Sequence, residues 1–266
     1  MLDTIDWSRP WLSTLNDVAM PIRLASDWRT AIDAAAGALA IRNHRGLPIQ
    51  FAAQESLSSN LSYEAFISAT GKVPTRDNLH DFFNALTWLV FPRIKVRLNA
   101  LHAQAASSEK TVITDQMPHK ARGKLRDAAT IFDENAALVM IRRPGLADAL
   151  RAHRWREAFV EQRDAFFNDC ETWLFGHALL EKLVTPYKAI TAHAWMIPVE
   201  DAFFRMSFDM RRDWVDAMVA SQLSERLSTS DFSPLPVLGI PGWWSVQDDA
   251  FYEDAAVFRP KKRSQT

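Results

Sequence analysis

Ala128-Ala129-Thr130-Ile131-Phe132-Asp133-Glu134-Asn135-Ala136-Ala137-Leu138-Val139-Met140-Ile141-Arg142 is where the helical period of this chain stops. Two apolar runs, Thr130-Ile131-Phe132 and Leu138-Val139-Met140-Ile141, flank the polar Asp133-Glu134-Asn135-Ala136. That pattern predicts a β-hairpin with the acidic tetrapeptide at its tip. A hairpin set among helices makes the fold class α+β, predominantly helical.

On the N-terminal side, Asp77, Asp81, Asn84 and Trp88 alternate with an apolar stripe of Leu79, Phe83, Leu86 and Val90. This is the longest predicted helix, with cap signals at Thr75-Arg76-Asp77. Ile94, Leu98 and Leu101 resume the stripe beyond Pro92, which should kink or break the helix. Residues 106–124 read as a polar loop. Earlier, Ser26 looks like an N-cap for a helix through Trp28, Ile32, Ala35 and Leu39, a short strand fits 47–52, and residues 62–70 make a helix ended by Gly71. Residues 1–25 carry Trp7, Pro10, Trp11 and Pro21 without a clear period, which suggests an extended arm held by its aromatics.

On the C-terminal side, helices are expected near 146–169 and 172–184, an extended piece over 190–199 and an amphipathic helix over 201–227. The segment Pro234 to Trp244 is too rich in proline for a helix and too apolar to float free, so an irregular layer over the core is expected. The organisation is therefore an arm (1–25), one globular domain (26–258) with a small hairpin or sheet, and a basic flexible tail (259–266).

The composition agrees with a packed chain: 48% hydrophobic residues, with 10 Trp and 16 Phe in 266 residues. Lys and Arg number 31 against 32 Asp and Glu, so no global field draws the protein to nucleic acid. Its longest apolar run, Leu86 to Phe91, is far shorter than the ~20 residues that cross a bilayer. The acidic start, Met1-Leu2-Asp3-Thr4-Ile5-Asp6, does not resemble a signal peptide, and a single cysteine, Cys170, suits a reducing compartment. A cytoplasmic location is expected.

Four blocks carry a family resemblance. They are Val73-Pro74-Thr75-Arg76-Asp77-Asn78-Leu79-His80-Asp81-Phe82-Phe83-Asn84-Ala85-Leu86-Thr87-Trp88, Phe132-Asp133-Glu134-Asn135, Phe175-Gly176-His177-Ala178-Leu179 with Glu181-Lys182, and Pro236 to Trp244. With them the chain resembles the bacterial DUF3025 family, which implies a shared fold and a bacterial source but no chemistry. The family's hairpin usually has glycine after Asp-Glu-Asn, whereas here Ala136 follows. Alanine in a left-handed conformation costs about 1 kcal/mol or more, so either Asn135 takes the positive φ or the turn is of another type.

Four constellations could carry chemistry, each with a plain structural alternative. His80, Asp81 and Asn84 on the long helix supply an imidazole, a carboxylate and an amide; the alternative is a solvated face, which Trp88 argues against. Lys95 and Asn99 would extend that face if Pro92 only bends the helix. His177 and Glu181 stand four residues apart on a predicted helix, spaced to reach one metal ion or proton-transfer partner, or for Glu181 to orient His177. Asp133 and Glu134 are ordinary turn residues, unless the tip folds inward against His80 or His177, where His193 could join a divalent-metal or hydrolytic site. Finally, Lys110, His119, Lys120, Arg122, Lys124 and Arg126 form a basic stretch, of which Lys120, Arg122 and Arg126 could bind an anion. Common signatures are absent: no G-x-S-x-G, H-E-x-x-H, Walker loop, G-x-G-x-x-G or paired C-x-x-C.

Two functional readings follow. One is an enzyme with a His/Asp/Glu cleft acting on a small acidic or phosphorylated substrate, with or without a divalent metal. The other is a noncatalytic binding or interaction module, in which the same polar residues tie helices together through buried hydrogen bonds while the tryptophan-rich arm and Pro/Trp tail present an apolar patch to a protein partner.

Overall fold

A computed structural model describes residues 1–57, 61–110 and 119–261, with the backbone alone for 107–110 and 119–122. The fold is α+β and mostly helical. Helices α1 (Asn16–Arg23) and α2 (Trp28–Ala38) lead to β1 (Gln50–Ala53), α3 (Tyr63–Thr70) and β2 (Lys72–Thr75). Two long helices follow, α4 (Leu79–Val90) and α5 (Pro92–Lys110), and then α6 (His119–Asn135). The second half alternates β3 (Ala136–Ile141), α7 (Pro144–Arg151), α8 (Arg163–Asp169), β4 (Cys170–Leu174), α9 (His177–Lys182) and β5 (Thr191–Pro198). It closes with α10 (Asp201–Phe204), α11 (Phe208–Gln222), β6 (Ser233–Pro236) and α12 (Asp249–Tyr252).

β1 and β2 pair in parallel as a small sheet, while a second sheet has the order β4-β3-β5-β6. Its centre, β3, runs antiparallel to β4 and parallel to β5, and every one of its residues is buried. A strand covered on both faces reads as a continuous apolar run, which Ala136 to Ile141 is. β6 carries Pro234 and Pro236 at the sheet edge, where a missing N–H costs no ladder bond. The buried hydrophobic side chains form one cluster that reaches from Ile5 to Phe258.

The expected hairpin is not formed. Residues up to Asn135 continue α6, because Leu125, Ala128, Ala129 and Phe132 recur at helical spacing and are all buried. Helix passes directly into β3, and neither Asn135 nor Ala136 has a positive φ. No turn is needed there, so alanine in place of glycine meets no strain.

Other boundaries also move. The arm holds a true helix, α1, whose Ala19 and Ile22 face inward just after the buried Leu15, while Trp7 packs edge-on to Phe82 and Trp11 tilts against Trp243. Asp27, not Ser26, caps α2. Asn78 caps α4 by accepting from the Asp81 amide at 2.7 Å, since Thr75 is already in β2. Residues 172–174 belong to β4 rather than to a helix, and Ser207 divides the expected 201–227 helix by capping α11. The 106–124 segment is helical as far as Lys110 and again from His119; what lies between is outside the described residues.

Pro92 breaks the helix outright: Phe91 leaves the helical region and α5 begins anew. The new N-terminus is capped from another element, since Asp216 of α11 accepts from the Arg93 amide at 3.0 Å and the Ile94 amide at 2.9 Å. This re-aims α5 so that Lys95 and Asn99 still meet the polar side of α4.

Candidate functional site

The polar side of α4 is not solvated. Every residue from Asp81 to Val90 is buried, and the polar ones are joined across helices. Lys95, 4% exposed, donates to Asn84 Oδ1 at 2.8 Å and to Asp133 Oδ1 at 2.6 Å, with the Trp88 ring 5.4 Å from its Nζ. Asn84 in turn donates through Nδ2 to the Tyr63 hydroxyl at 3.0 Å. Buried charges persist only when paired and hydrogen-bonded, and this group is both.

Asp133 sits in the last turn of α6. Burial alone would raise its pKa, but the Lys95 ammonium and then His177 hold it below the usual carboxylate range. Its backbone carbonyl accepts from His177 Nδ1 at 2.8 Å. His177 Nε2 lies 3.1 Å from His80 Nε2, and His80 Nδ1 lies 2.9 Å from Glu181 Oε2. His177 and Glu181 therefore do not converge on a common point; His80 stands between them.

The protons in this chain can be counted. A carbonyl only accepts, so His177 Nδ1 carries a proton and, in a neutral ring, Nε2 offers a lone pair. His80 Nε2 then faces that lone pair, and His80 Nδ1 faces the Glu181 carboxylate. Burial, reinforced by Lys95 and His80 and opposed by Asp133, pulls the His177 pKa down to about 4. His177 is thus neutral at ordinary pH, in a fixed tautomer.

Gly176 makes the arrangement possible. A Cβ there would lie 2.5 Å from both the Asn135 nitrogen and the Glu134 oxygen, so only glycine lets the start of α9 close onto the end of α6. Thr87 Oγ1, bonded to the Phe83 carbonyl at 2.9 Å and the Phe175 carbonyl at 3.3 Å, ties α4 to the same turn.

These groups border a cavity of about 570 Å³. His80, Asp81, Asn84, Asp133, Glu134 and His177 all line it, so residues far apart in sequence meet around one hollow. Their roles differ. Asp81 accepts from the Arg76 amide at 2.6 Å and from its Nε at 3.1 Å and Nη2 at 3.2 Å, so it anchors Arg76. Glu134 makes no side-chain hydrogen bond or ion pair among the described residues.

Of the basic stretch, Arg126 lines the cavity; the side chains of Lys110, His119, Lys120 and Arg122 lie outside the described ones. His193 is on β5 against Phe232, away from the cavity, and Asp77 faces Trp28, whose Nε1 donates to it at 2.8 Å. Cys170 is buried, its thiol pushed up to about 12, which removes it as a nucleophile. Among the described residues no three His, Cys, Asp or Glu side chains are placed to hold a metal ion.

Tyr63, Glu64, Arg76 and His102 also line the cavity without having been singled out from the sequence. His102 had a legible signal: it follows Lys95 and Asn99 at spacings of four and three, on the same face of α5. Burial, with the acids Glu64, Asp81 and Asp133, raises the Tyr63 pKa well above the phenol value, so its hydroxyl stays protonated.

Fold and cavity together define a helix-rich α+β protein with a polar hollow lined by His80, His102 and His177. The chain belongs to the DUF3025 family, described as a protein of unknown function, whose family model matches residues 49–262. No curated protein matches it. No solved structure matches it either. Among the described residues no helix is long and apolar enough to cross a membrane.

Proposed function

We propose that the protein is an enzyme that moves a proton on a small polar substrate bound in the His80/His177 cavity. The observation that carries this reading is the Glu181–His80–His177 chain opening on that cavity. His177 is the base: burial keeps it neutral, and the Asp133 carbonyl fixes its lone pair on Nε2. His80, with a side chain 34% exposed, covers that lone pair in the free protein. When its ring turns aside, a substrate proton reaches His177 Nε2, and His80 stays beside the substrate, held by Glu181. Arg76 and Arg126 on the cavity wall support a substrate that bears a carboxylate or phosphate group.

The alternative, a module offering tryptophans to a partner, loses its motivation. No tryptophan is among the exposed large hydrophobic side chains, and Trp7, Trp11, Trp243 and Trp244 pack on or in the core. A bacterial cytoplasmic setting fits the family resemblance and the single buried thiol.

The test is a mass-spectrometric comparison of a bacterial metabolite extract before and after incubation with the purified protein. At least one small molecule should be converted by the wild type. Conversion should be lost in His177→Gln and His80→Gln, both melting within a few degrees of wild type. Conversion that survives both substitutions, or no conversion at all, would overturn the proposal.

A further inference from the structure

The charges that the described side chains place around the cavity do not balance. Four carboxylates line it: Glu64, Asp81, Asp133 and Glu134. Asp81 is held in a fork by Arg76, and Asp133 by Lys95. Glu64 receives only the neutral amide of Asn99, at 2.6 Å, and Glu134 has no partner among the described residues. Glu181 bonds to His80 and does not itself line the cavity, and His177 is neutral. Arg126 has an interaction of its own, yet even counted as a whole positive charge it faces two unmatched acids, which leaves the described side chains around the hollow one charge negative.

A second observation, independent of charge, points to a missing ligand. His102 is 8% exposed and lines the cavity, but its ring makes no hydrogen bond to any described residue. Buried polar groups are almost always satisfied, so an unpartnered imidazole at a cavity wall marks a place that a ligand's polar group fills. The anion expected from the basic stretch would, alone, deepen the imbalance that Glu64 and Glu134 create. A cation removes it.

We propose that the cavity contains a subsite for a protonated amine, with Glu134 and Glu64 as its counter-charges and His102 beside it. Together with Arg76 on the same wall, this defines the substrate as a small molecule carrying an ammonium group and, at its other end, an anionic or neutral polar group. The inference rests on reading the cavity as the substrate site. A carboxylate facing an ammonium in a partly desolvated hollow forms the stronger, charge-assisted kind of hydrogen bond. Losing the carboxylate should therefore weaken an amine far more than a matched acid.

The experiment follows the histidine ring signals by NMR, assigned through single substitutions, while butylamine, 4-aminobutyrate or butyrate is added at pH 7.5. Both amines should move the His102 signals saturably, with butyrate at least tenfold weaker. Glu134→Gln, and separately Glu64→Gln, should weaken the amines at least fivefold while the melting temperature stays within a few degrees. Butyrate acting as strongly as the amines would overturn the amine subsite while leaving the cavity as the substrate site. Silence from all three probes would also overturn it, and the metabolite comparison would still decide the enzymatic reading by itself. A His102 ring that is doubly protonated in the free protein and unmoved by amines would show that the acids are satisfied from within, and the subsite would be rejected.

Discussion

His177 is the residue at which folding and chemistry are most directly linked. Its pKa is near 6.5 in an unfolded chain and about 4 when folded, so the unfolded state binds the proton first. The contribution is complete above pH 6.5 and declines as pH falls toward 4. Between pH 7.5 and pH 5 the loss should be roughly 2 kcal/mol. Urea unfolding at the two pH values should show it, and His177→Gln should flatten the difference; an equal slope in both proteins would contradict the burial of a neutral ring. Lys95 makes the complementary case. Lys95→Met leaves Asp133 charged and unpaired in the interior, which should cost roughly 3–5 kcal/mol, whereas adding Asp133→Leu should recover much of it. A double-mutant cycle by chemical denaturation measures that coupling. From sequence, the types and spacing of His80, Asp81, Asn84, His177 and Glu181 were legible, but not that Asp81 serves Arg76 or that His80 separates His177 from Glu181, because both depend on contacts between distant segments.

At the level of elements, the close approach of α6 and α9 is set by one missing methyl. Gly176→Ala would push a Cβ to 2.5 Å from backbone atoms of residues 134 and 135, where nothing flexible can give way. We expect a loss of roughly 1–3 kcal/mol and disruption of the His80 to His177 contact, visible as a lower melting temperature and shifted ring signals of both histidines. Helix ends explain most misplaced boundaries. Thr130-Ile131-Phe132 has strand-forming residues, yet Phe132 completes the buried stripe begun at Leu125 and Ala128, and tertiary packing overrides local preference. Pro92 was correctly read as a disruption. What could not be read was Asp216, more than a hundred residues away, which caps the restarted helix and brings Lys95 to Asn84.

For the molecule as a whole, the N-terminal arm is part of the core and not an attachment to it. Trp11, Leu12, Leu15 and Ile22 are all buried. At roughly 1.5–3 kcal/mol for each buried apolar side chain, their loss rivals the 5–15 kcal/mol that holds a typical domain together. Deleting residues 1–25 should therefore abolish cooperative thermal unfolding, and a truncated protein melting near the full chain would refute the estimate. Fold class was legible in the loss of helical period over residues 128–142, although the structure keeps helix to Asn135, because any strand set among these helices gives an α+β protein. One consequence concerns how chemistry and scaffold are joined. β4 ends at Leu174 and α9 begins at His177, so only two residues separate a rung of the larger sheet from the His177 imidazole. The imidazole is in effect tied to the ladder, and a strand slipped by one residue would shift the start of α9 that carries the ring. Under the proposed function, activity would then be an internal gauge of correct assembly, because a misregistered sheet would displace His177 from the cavity, and adapting the site to another substrate would begin on the opposing walls.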